Sequence, residues 1–179
     1  LWLRLAGAAA GTGRVDEALR IEKKVASAQG RPGPNDPRRW ARLWSAARLS
    51  RLIAHPPAQH APPKASLMRK LKELQLFDGS ATLVLLTWED LDRDLLLVAE
   101  KEGEPTAAGE TIDASGVGLS GMILSAEEVG SLKLVARLRS VPGVEEVRMM
   151  RHDITFDGKS FTAKVTSHSL PVAKTRAEL

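Results

Sequence analysis

Near residue 77 the spacing of the apolar side chains changes, and the sign of the charge changes with it. Before that point apolar residues return every third or fourth position, as on one face of an α-helix. Beyond it they alternate or run on in β-favouring stretches. Residues 1–76 carry 15 Lys and Arg against 5 Asp and Glu, a net of +10; residues 77–179 carry 11 against 17, a net of −6. Such a division predicts an α+β chain: an N-terminal helical hairpin or repeat segment over 1–53, a connecting stretch over 54–76, and an antiparallel β-sandwich over 77–179. With 179 residues, 43% of them hydrophobic, there is apolar material for one medium core or two small ones. Cys is absent, which excludes thiol catalysis, Cys-ligated zinc and a disulfide framework. No apolar run reaches 18 residues, so no membrane-spanning helix is expected. Leu1 already sits in a helical pattern, and the chain reads as a piece of a longer polypeptide.

In the first part, Trp2, Leu5, Ala6 and Ala9 recur at i, i+3, i+4 and i+7, and Gly11-Thr12-Gly13 ends that helix. A second helix is predicted from Val15 to Ala28, with Asp16 and Glu17 in its first turn, where the helix dipole favours acids. The residues Trp2, Leu5, Ala6, Ala9 and Ala18 match the large-and-small pattern of a tetratricopeptide repeat, and this hairpin resembles that family. Glu22 stands where the family prefers a large aromatic. The resemblance implies a helical repeat array that binds protein.

A third helix is predicted from Arg39 to Ile53. Trp40, Leu43, Trp44 and Ala47 form one stripe, and Leu49, Leu52 and Ile53 lie on nearly the opposite side. Arg39, Arg42, Arg48 and Arg51 are interleaved. Tryptophan beside arginine suits either a protein partner or a nucleic-acid platform, by stacking and phosphate contact. Trp40, Trp44, Arg39 and Arg42 are therefore the candidate partner-binding residues. The stretch from Ala54 to Ala65 has four prolines in twelve residues and reads as a semi-extended linker carrying His55 and His60. A short helix from Ser66 to Leu76 leads out of it.

In the second part, turn signals recur about every ten residues, as in a sandwich. Ala81 to Trp88 predicts a central strand, with Asp94 to Ala99 as its neighbour and Leu119 to Leu124 as a third. Leu132, Leu134, Ala136 and Leu138 alternate with Lys133, Val135, Arg137 and Arg139, which predicts a half-buried strand with a basic outer face. Val144 to Phe156 and Ser160 to Ser167 follow, joined by the hairpin signal Asp157-Gly158. In the last strand Phe161, Ala163 and Val165 are expected inward. Thr87, Trp88, Asp92, Asp94 and Leu95 carry a resemblance to the YfaP-type bacterial β-sandwich, a domain of unknown function. It implies a non-catalytic module of envelope or surface proteins, often set behind repeat modules.

Three chemistries have candidate residues in the second part. Asp90, Asp92 and Asp94 alternate in a loop, and such carboxylates supply oxygens for Ca²⁺, although no Gly or distal Glu completes a twelve-residue calcium loop. His152-Asp153 and His168, with Ser160, Ser167 or Ser169, are the acid–base groups of the second part, and no nucleophile motif accompanies them. Gly116 to Gly121 lacks the Lys-Ser/Thr of a phosphate loop. No enzymatic activity and no cofactor are expected. The expected function is a non-catalytic interaction or scaffold role in a larger bacterial multidomain protein. The alternative is a binder of nucleic acid or another anionic polymer through the basic helices.

Overall fold

A computed structural model describes residues 2–29, 36–57, 62–89, 93–140, 146–171 and 174–179. The chain divides into two compact units, residues 1–76 and 77–179. The first is helical and the second carries the sheets, so the chain is α+β.

The helical unit holds α1 (Trp2–Gly11), α2 (Val15–Ala26), α3 (Pro37–Ala54) and α4 (Lys64–Glu73). The α1–α2 contact is made by small residues: Ala6, Ala9 and Ala18 are buried together with Ile21. Trp2 and Leu5 lie on the same stripe of α1 and yet are about half exposed. The predicted apolar stripe is thus real as a periodicity but covered only where Ala6 and Ala9 let α2 approach closely. Asp36 caps α3 by accepting the Arg38 backbone N–H, and Pro37 occupies the first turn, where its missing N–H is harmless. Ala41, Leu43, Ala46, Ala47 and Leu49 are all buried, as expected of a helix apolar on two sides. Within the unit α3 packs against α2 and α4.

The second unit is a sandwich-like pair of antiparallel sheets. Its strands are β1 (Ala81–Trp88), β2 (Leu95–Lys101), β3 (Glu104–Pro105), β4 (Glu110–Ala114), β5 (Leu119–Leu124), β6 (Lys133–Leu138), β7 (Val147–Phe156), β8 (Phe161–Leu170) and β9 (Arg176–Glu178). One sheet runs β4-β5-β1-β7-β8 and the other β3-β2-β6-β9. As predicted, β1 is central. Between β5 and β6 lies a short helix, α5 (Ala126–Ser131), started by a Ser125–Glu128 capping box.

Two expectations for the sheets are corrected. The strand after β1 is not its neighbour, because β2 belongs to the opposite sheet. Residues 89–94 contain no Gly for the tight turn that would pair them directly. In β8, Phe161, Ala163 and Val165 do not face the sandwich interior. Leu86 and Trp88 of β1, Met149 of β7 and Leu170 of β8 pack there with Leu95 and Ala136 of the second sheet. Register then places Thr166 and His168 on that side, and Val165 on the other with His152 and Leu85. Alternation alone could not tell the faces apart, because Leu83 to Leu86 are all fully buried and β1 is apolar on both sides. On the face away from the second sheet Phe156 stacks on Phe161, and Phe77 packs tilted against both.

Backbone geometry fixes the sheet locally. Gly121 of β5 lies against β1, where a Cβ would meet the Val84 carbonyl oxygen at 2.9 Å and Leu85 Cδ2 at 2.7 Å. The β7–β8 turn holds Gly158 at φ +92°, with the Asp157 carboxylate accepting the backbone N–H groups of Lys159 and Ser160. Gly116 and Gly118 belong to a 3₁₀ turn, Ser115–Val117, between β4 and β5, and not to a phosphate loop.

Candidate functional site

Of the three loop aspartates, Asp90 and Asp92 lie outside the described residues. Asp94 is engaged by a cation of the chain itself. Its Oδ1 accepts from Arg139 Nη2 at 2.7 Å and from Nε at 3.1 Å. The same guanidinium donates to Asp113 Oδ2 at 2.8 Å and to Ser115 Oγ at 2.8 Å. Because Asp113 lies on β4 of one sheet and Arg139 just beyond β6 of the other, this cluster ties the two sheets together at one end. Burial pushes the Asp113 carboxyl up, Arg139 and Ser115 pull it down, and it ends below its ordinary value. Among the described residues no group of three or more His, Asp or Glu is placed to hold a metal ion.

The histidines are placed apart from the serines. His152 is buried, and its Nε2 pairs with Thr87 Oγ1 at 3.0 Å. His168 Nε2 pairs with Thr166 Oγ1 at 2.9 Å. Burial, reinforced by Arg151, lowers the His168 pKa against the opposing charge of Asp153, which is itself bonded to Arg151 at 2.8 Å. Ser167 and Ser169 flank His168 in β8 and so point to the opposite face of the strand. Ser160 is taken up by Asp157 at 3.0 Å. The geometry assembles no Ser–His pair from these residues. His55 is exposed just past α3, and His60 lies outside the described residues.

On α3, Trp40, Trp44, Arg39 and Arg42 are each half-buried. The Arg42 Nε is buried with no hydrogen-bond partner among the described residues. Trp44 lies beneath the Arg48 guanidinium, 5.1 Å from ring centroid to Cζ, a cation–π contact. Arg48 also donates from Nε to Glu22 Oε1 at 2.7 Å, and Ser45 Oγ donates to Glu22 Oε2 at 2.9 Å. Glu22 has no exposed surface. Burial pushes its carboxyl above the ordinary value despite Arg48 and Ser45. The carboxylate at the position where the repeat family prefers an aromatic is thus a buried partner for α3.

The surface that the sequence pattern concealed is on α1. Trp2 is 52% and Leu5 50% exposed, one turn apart, with the Lys24 ammonium 5.2 Å from the Trp2 ring centroid. Elsewhere in the described structure Val129, at 40%, is the other large exposed hydrophobic residue. Periodicity put Trp2 and Leu5 on the core stripe. Only the Ala6, Ala9 and Ala18 contact, which brings the helices close and leaves the larger side chains outside, distinguishes them.

The sheet unit keeps a second buried carboxylate. Glu100 of β2 accepts from Arg137 Nη2 at 2.7 Å and Arg176 Nη2 at 2.6 Å, which draws the neighbouring strands β6 and β9 onto it. Hydrogen bonds from Arg176 and then Arg137 hold its pKa at about 2. No family model matches this chain, and no curated protein and no solved structure matches it either.

Proposed function

We propose that this chain is a non-catalytic protein–protein interaction module, a scaffold piece of a larger multidomain protein, whose helical unit makes the contact. The observation that carries the reading is the exposed pair Trp2 and Leu5 on α1, since adjacent large apolar side chains left uncovered by the described residues mark a surface for another protein segment, of a partner or of another domain of the same polypeptide. Arg139, Glu22 and Glu100 each sit in internal ion pairs, which hold the fold together. The resemblances to a tetratricopeptide repeat and to the YfaP-type sandwich agree with an interaction role. The test is recovery of partner proteins on the immobilised chain and on its Trp2→Ala/Leu5→Ala variant. Partners held by the first and lost by the second are expected. Recovery unchanged by the variant would contradict the reading.

The basic helices favour a second reading, an anionic-polymer binder. In the helical unit Glu17, Glu22 and Asp36 are each paired with an arginine, while Arg51, Lys64, Arg69, Lys70 and Lys72 are exposed. That reading requires affinity for nucleic acid to fall steeply with salt, because phosphate contacts release counterions. Flat salt dependence would remove it.

Among the described residues no helix is long and apolar enough to cross a membrane.

A further inference from the structure

We infer that the network of Glu22, Ser45 and Arg48 selects which side of α3 packs on α2, a choice that apolar burial leaves open. Helical spacing puts Ala41, Ser45, Arg48 and Leu52 on one line of α3. That line is the one turned to α2, because Ser45 Oγ and Arg48 Nε both donate to the Glu22 carboxylate, at 2.9 and 2.7 Å. A more apolar line exists. Leu43 and Ala47, each two positions from Ser45, lie nearly opposite it and are buried, and buried Ala46 and Leu49 fall between the two sides. Turning α3 about its axis would therefore exchange one apolar contact for another, and cores of matched volume lose a unique packing before they lose stability. The network removes that freedom. Glu22 has no exposed surface, so any turn that carries Ser45 and Arg48 away strands its carboxylate without a donor. On the same helix Ala18 and Ile21 are committed to α1, which fixes α2 itself. Arg48 is held on its other side as well, over the Trp44 ring at 5.1 Å. A buried ion pair returns little over an apolar pair of similar size but costs much when broken, which suits it to selecting a register. The choice also sets the direction in which Trp40, Trp44 and Arg51 leave α3, independently of Trp2 and Leu5.

The test replaces the whole network with apolar side chains in the full chain, combining Glu22→Leu, Ser45→Ala and Arg48→Met, and reads stability and packing separately. The urea midpoint should stay at or above that of the unaltered chain. Methyl NMR should nevertheless lose its single set of α2 and α3 signals, with doubled or broadened resonances and new cross-peaks from α2 to Leu43 or Ala47. Ser45→Ala alone leaves Arg48 on Glu22 and should keep one set. A triple variant with one set of signals and the original cross-peaks would overturn the inference, because packing alone would then have made the choice. A triple variant that fails to fold, or whose midpoint falls well below that of the unaltered chain, would overturn it too, since the network would then be a source of stability.

Discussion

Among the described residues each half of the molecule buries one glutamate, and the two are held differently. Glu22, between α2 and α3, has one arginine and one hydroxyl, and burial raises its pKa. Glu100, on the sheet, has two arginines, and hydrogen bonding draws its pKa down to about 2. At Glu22 desolvation is the leading influence and outweighs one guanidinium, whereas at Glu100 the hydrogen bonds of two guanidinium groups lead and desolvation is secondary. The surrounding packing follows the same division. Small alanines bring the helices together and leave Trp2 and Leu5 outside, whereas in the sheet unit the strands β2, β6 and β9 are cross-linked by charge.

The largest expected effect breaks the weaker arrangement. Arg48→Met leaves Glu22 buried without its cation and should destabilise the helical unit by about 3 kcal/mol in urea denaturation. Adding Glu22→Leu to that variant should recover most of the loss, because an apolar pair replaces an ion pair. Little recovery would mean that Arg48 stabilises chiefly through its stacking on Trp44. Arg176→Met, by contrast, leaves Glu100 its second arginine, and its fall in Tm should be smaller than that of Arg48→Met. In the sheet unit the comparable sensitivity lies in backbone fit: Gly121→Val forces β5 away from Val84 and should cost about 2 kcal/mol.

Acid should sharpen the contrast. The folded Glu22 binds its proton more tightly than the unfolded chain does, so its contribution to folding declines as pH rises through the window above the ordinary glutamate value. Glu100 runs the other way. Its contribution is complete above the ordinary value and is lost as pH falls toward about 2. Glu22→Gln and Glu100→Gln should each remove one slope from the pH dependence of Tm, and the two slopes should be opposite in sign. The smallest effect belongs to the exposed pair Arg14–Glu17, where Arg14→Ala should change stability by about 0.5 kcal/mol or less.

Much of the architecture was legible because it depends on local periodicity. The helical spacing of Ala6, Ala9 and Ala18, the uninterrupted apolar run of β1 and the Asp157-Gly158 turn each announce their element. Strand partnership was not, since β1 is apolar on both faces and the sequence after it carries no Gly turn signal to fix a neighbour. The short strands β3 and β9 were hidden because two or three residues hold no periodicity. The candidate surface was the least legible. Trp40 and Trp44 carry the more conspicuous arginine-rich pattern, yet both are half-buried, and the exposed tryptophan is Trp2. Exposure depends on which side chains the neighbouring helix reaches, and that is a property of packing across α1 and α2. The two buried ion pairs likewise join residues 26 and 37 or more positions apart, beyond the reach of local pattern.

The opposed states of the two glutamates are tested most directly by ¹³C-carboxyl NMR titration of the full chain labelled at glutamate, with Glu22→Gln and Glu100→Gln assigning the two signals. Glu100 should keep its charge until about pH 2, while Glu22 should take up its proton above the ordinary glutamate value. Two signals titrating together at that ordinary value would contradict both expectations.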